Sequence, residues 1–142
     1  MNQSISSDIF KNAVQQDQEF AWHIAAFPTA LKRAQEAGYA CLGGQFQFCL
    51  PHGIFELYWL NADPEARRPD ESWTAFNRRS CEEVLCSFQK HLQQTDFIQA
   101  SNAFEGLHDL KSPLLLKSAL LFVAYFVYED EFERLTKEGA LP

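Results

Sequence analysis

The chain lacks the short motifs that announce common chemistries. No two cysteines are spaced C-x-x-C, no H-x₃-H or H-E-x-x-H occurs, and Gly43-Gly44 is not followed by Lys-Ser/Thr. These absences remove the usual redox, zinc and phosphate-loop readings, so no metal or cofactor is expected. Basic residues are also few: 12 Lys and Arg stand against 19 Asp and Glu, a net charge of −7. Nucleic acid and anionic membrane surfaces need a basic footprint, and both are excluded as expected partners. A basic protein partner would instead be attracted. Glycine and proline number six each, and no linker, repeat or low-complexity segment is visible.

Long apolar runs are scarce as well. The nearest to one, Leu114 to Tyr128, contains Lys117 and Ser118 and ends on Glu129-Asp130-Glu131. A membrane span needs about 20 apolar residues, so this run predicts a buried central helix. The opening residues Met-Asn-Gln-Ser-Ile-Ser-Ser-Asp have neither the basic charge nor the apolar stretch of a secretory signal. The four cysteines, at 41, 49, 81 and 86, are therefore expected to be reduced in a cytoplasmic protein.

What the sequence does have is aromatic bulk. Of its 142 residues 46% are hydrophobic and 13 are phenylalanine, enough for one domain, 1–142, with an aromatic core. Residues 45–60 alternate apolar and polar, break at Pro51-His52-Gly53, and alternate again. That pattern predicts a β-hairpin. A four-residue loop, Pro51 to Ile54, would set Leu50 opposite Phe55, Phe48 opposite Leu57 and Phe46 opposite Trp59. All six would then share one face, with Gln45, Gln47, Cys49, Glu56, Tyr58 and Leu60 on the other. Tyr39 to Leu42 adds a short strand, with Gly43-Gly44 as bulge or turn.

The rest reads as helix. Ser7 or Asp8 caps a first one; Phe20, Ile24 and Phe27 recur at helical spacing; Pro28 opens another that Gly38 stops. Trp73, Phe76, Ser80, Val84, Phe88 and Leu92 form the clearest stripe. Arg78–Glu82 and Arg79–Glu83 are spaced as solvent-side pairs of about 0.2–0.5 kcal/mol each. The segment from Thr95 to Leu110 suggests one short helix, and Ser112-Pro113 opens the last. The predicted fold class is α+β, with helices packed on one face of a small antiparallel β-hairpin sheet.

Two surfaces stand out as candidates for binding a partner. One is the strand face of Gln45, Gln47, Glu56 and Tyr58, whose exposed edge could also recruit a second copy into a homodimer. The other is the charged, proline-rich loop carrying Asp63, Glu65, Arg67 and Arg68. Trp59 and Trp73 are candidates for an aromatic small-molecule pocket. Cys49 and His52 lie close in sequence, yet a strand face and a turn tip do not aim at one spot. They read as an inert thiol and an exposed turn histidine.

The stretch Leu42-Gly-Gly-Gln-Phe-Gln-Phe, then Leu50-Pro-x-Gly, then Glu56-Leu-Tyr-Trp resembles small stand-alone bacterial proteins of the immunity, or toxin-neutralising, type. The likeness extends over residues 20–130 in general layout. It implies a cytoplasmic protein that blocks a basic toxin by binding it, with no catalysis of its own. The alternative expectation is a small-molecule binding or sensing domain built on the tryptophans.

Overall fold

The computed structural model describes residues 13–16, 19–107 and 112–139. The expected first helix at Ser7 or Asp8 lies outside them. The fold is α+β. Five antiparallel strands, β1 (Val14–Gln16), β2 (Glu19–His23), β3 (Ala40–Leu50), β4 (Gly53–Ala62) and β5 (Leu120–Val127), form one sheet in the order β1-β2-β5-β3-β4. The helices are α1 (Phe27–Glu36), α2 (Trp73–Gln94), α3 (Phe97–Ser101), α4 (Pro113–Ala119) and α5 (Glu129–Glu138), with a 3₁₀ turn at Glu105–Leu107.

The main correction concerns the C-terminal apolar run. It is not one buried helix. Helix α4 ends at Ala119, and Leu120 begins β5 directly. Strand β5 lies in the middle of the sheet, paired with β2 on one side and β3 on the other. A strand buried on both faces shows no alternation, so its apolar run mimics a buried helix. The segment around Phe20 is likewise strand rather than helix. In β2, Trp22 goes to the helix-covered face and Ala21 joins the opposite one.

The hairpin forms, but its register is two residues tighter than expected. Leu50 pairs with Gly53, Phe48 with Phe55 and Phe46 with Leu57, around the two-residue loop Pro51-His52. Short loops of this kind are the favoured hairpin connection. A shift of two preserves the faces, so Phe46, Phe48 and Leu57 still point to the core. Beyond Phe46 the register breaks: the next pair is Gln45 with Asn61. Tyr58, Trp59 and Leu60 therefore have no partner on β3, and they form an irregular bulge of three extra residues in β4. Trp59, expected in the core, is 43% exposed as a result.

The core builds outward from a row across four strands: Trp22, Phe122, Phe46 and Leu57, all fully buried. Phe27 of α1 and Phe88 of α2 close over it, with ring centroids 4.5 and 5.1 Å from Phe122. Phe46 stacks on Phe88 at 5.3 Å. Burying a Phe-sized side chain contributes about 1.5–3 kcal/mol, so this cluster dominates the fold's stability. Pro28 lies in the first turn of α1, and Gly38 leaves that helix with φ +92°, a conformation suited to glycine.

Helix α2 begins where Ser72 accepts a hydrogen bond from the Ala75 N–H. Its stripe is not wholly apolar. Trp73 Nε1 donates to the Gly38 carbonyl, and Asn77 Nδ2 donates to the carbonyls of Gln35 and Tyr39. Ser80 Oγ accepts from the Cys41 N–H. These residues, at i, i+4 and i+7, satisfy the backbone where α1 turns into β3 and fix the entry of the longest strand.

Candidate functional site

The charged loop after β4 is less open than its composition suggests. Arg79, on α2, is the reason. Its Nε and Nη2 grip the Glu71 carboxylate at 2.7 and 2.8 Å, and Nη1 reaches Glu83 at 3.0 Å. The remaining donors go to the carbonyls of Glu65 and Ala66 at 3.2 and 3.1 Å. All five guanidinium N–H groups are thus engaged. The expected Arg79–Glu83 pair forms, but the tighter partner is Glu71, and there the side chains of Arg79 and Glu71 are only 16% and 7% exposed. Arg79's hydrogen bonds hold the Glu71 carboxyl down to about 2, against the desolvation that opposes them. The same contacts raise the guanidinium above its ordinary value. No Arg78–Glu82 ion pair forms among the described residues.

Of the loop's candidates, Arg67 is committed to the fold, and Glu65 is held by its backbone while its side chain stays 78% exposed. Arg67 donates to the Glu71 carbonyl and to Glu129 on α5, and its guanidinium lies 5.2 Å from the Trp73 ring centre. The Glu65 N–H donates to Glu83. Arg68 remains exposed, 3.7 Å from Glu65. A contact of that kind contributes about 0–1 kcal/mol.

The strand-face candidates divide. Gln47 is 1% exposed and is not available at the surface. Strand β3 is interior, with Leu121 of β5 on one side of Gln47 and Glu56 of β4 on the other. Nearby Ala21, Leu121 and Val123 form a buried cluster on this face. Gln45 is half-buried, while Glu56 and Tyr58 are exposed. Tyr58, in the bulge, is the most exposed of these at 69%.

Gln45, Glu56 and Asp63, drawn from both expected surfaces, meet in one place. They line a cleft of about 340 Å³ together with Leu42, Gly43, Gly44, Asn61 and Tyr125. The register explains why. Gln45 pairs with Asn61 across β4, and Gly43 pairs with Tyr125 across β5. Gly43 has φ +119°, and a Cβ there would fall 2.3 Å from Asp63 Oδ1. The missing side chain lets the Asp63 carboxylate fold back over β3. Asn61 Nδ2 holds its other oxygen at 3.3 Å, and His91 Nε2 of α2 contacts the Asn61 carbonyl at 2.8 Å. The rim is therefore anchored from the helix layer.

The tryptophans do not share a pocket. Trp59 stacks on Phe104 at 6.0 Å and meets Tyr58 edge-on. Trp73 packs between Phe76 and Phe132 on the α5 side. They belong to opposite ends of β4 and α2, which the helical and strand patterns could not relate. A groove of about 600 Å³ between α1 and α2 contains none of the candidate residues.

The thiols have structural surroundings. Burial, together with neighbouring Cys81, pushes Cys41 well above its ordinary value, and burial pushes Cys81 up to about 11. Neither is a thiolate at neutral pH. His52 Nε2 contacts the Gly106 carbonyl at 3.3 Å, and Cys49 packs against the buried cluster on the far face. No three His, Cys, Asp or Glu side chains converge in a metal-binding group among the described residues. No described helix is long and apolar enough to cross a membrane.

Tyr125 is a residue that sequence reasoning passed over, and Arg79 was read only as a solvent-side partner of Glu83. The first was hidden in the apolar run, where Phe122-Val-Ala-Tyr-Phe-Val is rich in strand-favouring residues. The geometry offers an open polar cleft with two carboxylates, two amides and a ring, beside a bulge that displays two large aromatics. Compared with known proteins, the chain matches no family model, no curated protein and no solved structure.

Proposed function

We propose that this chain is a noncatalytic binding protein that blocks a basic protein partner, a toxin being the kind of target its layout suits, in the bacterial cytoplasm. One observation carries the reading. Between Glu56 and Asn61, both on the cleft wall, an edge-strand bulge displays Tyr58 and Trp59 at 69% and 43% exposure. Tyrosine and tryptophan are the residue types that anchor protein interfaces, because they bury much area at low entropic cost. Glu56 and Asp63 enter no ion pair among the described residues, which leaves their charge to act on a partner. A net charge of −7 speeds encounter with a basic protein.

The test is gentle co-purification from the source cell with the native chain and with a Tyr58→Ala/Trp59→Ala variant. The expected result is a basic protein retained by the native chain and lost by the variant. Recovery of no protein, or equal recovery by both, would overturn the reading. The small-molecule alternative loses its stated pocket, since Trp59 and Trp73 lie in separate clusters.

A further inference from the structure

We infer that the cleft at the β3–β4–β5 end of the sheet is a guanidinium site, one that takes an arginine side chain of the partner. The inference rests on the binding-protein reading and specifies the chemistry of its contact.

The lining argues for this group over other cations. Two carboxylates, Glu56 and Asp63, and two amides, Gln45 and Asn61, share the cleft with the Tyr125 ring. A guanidinium is planar and carries five donors, so it can serve carboxylate and amide oxygens at once while its face rests on a ring. An ammonium is a compact, strongly hydrated charge that uses neither the ring nor the spread of acceptors as well. A bare divalent ion needs a tighter group of hard ligands, and no such group of three converges among the described residues. At about 340 Å³ the cleft lies near the low end of the roughly 300–1,000 Å³ typical of ligand sites, suited to one side chain.

The site is also set in place before any ligand arrives. Asp63 folds over Gly43 because that position has no Cβ, and Asn61 steadies its second oxygen. His91 fixes the Asn61 backbone from α2. On the opposite side Gly44 packs directly on Phe122, where a Cβ would come within 2.5 Å of the ring. The floor is thus locked to the core. Preorganisation of this kind lowers the ordering cost of binding.

The test is an NMR titration of the full chain with Nα-acetyl-arginine-N-methylamide, and with the matching lysine compound. Saturable shifts at the side-chain amides of Gln45 and Asn61 are expected, with the lysine compound at least about fivefold weaker. Loss of one charge-assisted contact, in Glu56→Gln or Asp63→Asn, should weaken arginine binding about tenfold. Tyr125→Leu should weaken it severalfold, with retained dispersion of the backbone amide signals confirming the fold. No saturable shift, equal response to lysine, or indifference to these substitutions would overturn the assignment. If that happens while partner capture still depends on Tyr58 and Trp59, the cleft assignment falls and the partner reading stands. If arginine binds as expected and no partner is captured, the partner reading falls and the cleft assignment stands.

Discussion

Two acidic neighbourhoods lie a few residues apart in this chain and behave in opposite ways. Around Arg79 the carboxylates of Glu71 and Glu83 and the carbonyls of Glu65 and Ala66 are gathered by one guanidinium, with every donor used. Around Glu56 and Asp63 no cation is paired among the described residues, and the cleft stays open. The first neighbourhood has spent its charge on fastening a loop to α2. The second still has its charge to offer. A count of acidic residues treats the two alike; the position of a single arginine separates them.

The strongest way to break the contrast is Arg79→Met. It leaves the nearly buried Glu71 carboxylate with only the Arg68 N–H at 3.2 Å, and takes the Arg79 donor from two loop carbonyls. Removing one partner of such a pair is among the more damaging substitutions. A melting temperature lower by several degrees is expected in calorimetry, with arginine binding at the cleft retained. Acid should act next most strongly. Glu71 has a folded value of about 2 against an ordinary 4.5, so the stability it contributes is present above pH 4.5. That contribution is lost as pH falls from about 4.5 through about 2, because the unfolded chain binds the proton first. Urea midpoints measured across this window should decline in the native chain and decline less in Arg79→Met.

Gly43→Ala sharpens the comparison from the other side. Its φ of +119° and the 2.3 Å approach of Asp63 leave no room for a Cβ. A loss of about 1–3 kcal/mol is expected from the strained backbone, measured by urea unfolding. Asp63 would also be displaced, weakening the cleft. Smallest of all is the stability effect of Glu56→Gln, expected within about ±0.5 kcal/mol as for most surface changes. Binding at the cleft should nonetheless fall. A large stability loss in Glu56→Gln would mean that this carboxylate is fastening the fold after all.

Much of this arrangement was legible in advance, for physical reasons that differ by element. The hairpin announced itself because one of its faces is buried and period-two alternation is unambiguous there. Helix α2 did so through its 3.6-residue stripe. Even a two-residue error in the hairpin loop left its faces intact. Strand β5 was illegible because both its faces are covered, which erases periodicity, and its length suited a helix equally well. Gln47 was misplaced because its polar alternation suggested an open face, whereas that face is buried around Ala21, Leu121 and Val123. The cleft's three acidic and amide candidates could be named as polar surface. Their convergence depended on the bulge at Tyr58–Leu60 and on Tyr125, neither of which local sequence reveals.

The direct junction of α4 with β5 has a consequence for the order in which the molecule is made. The strand that joins β2 to β3 comes last of the five, about a hundred residues after the first strand it pairs with. On a ribosome, β2 and the β3–β4 hairpin must wait, their inner edges unpaired, until residues 120–127 have emerged. Until then Trp22 and Phe46 have no common neighbour in Phe122. The nascent chain therefore spends most of its synthesis with a gap in the middle of its sheet, a slot shaped for one particular strand and exposed to the wrong ones.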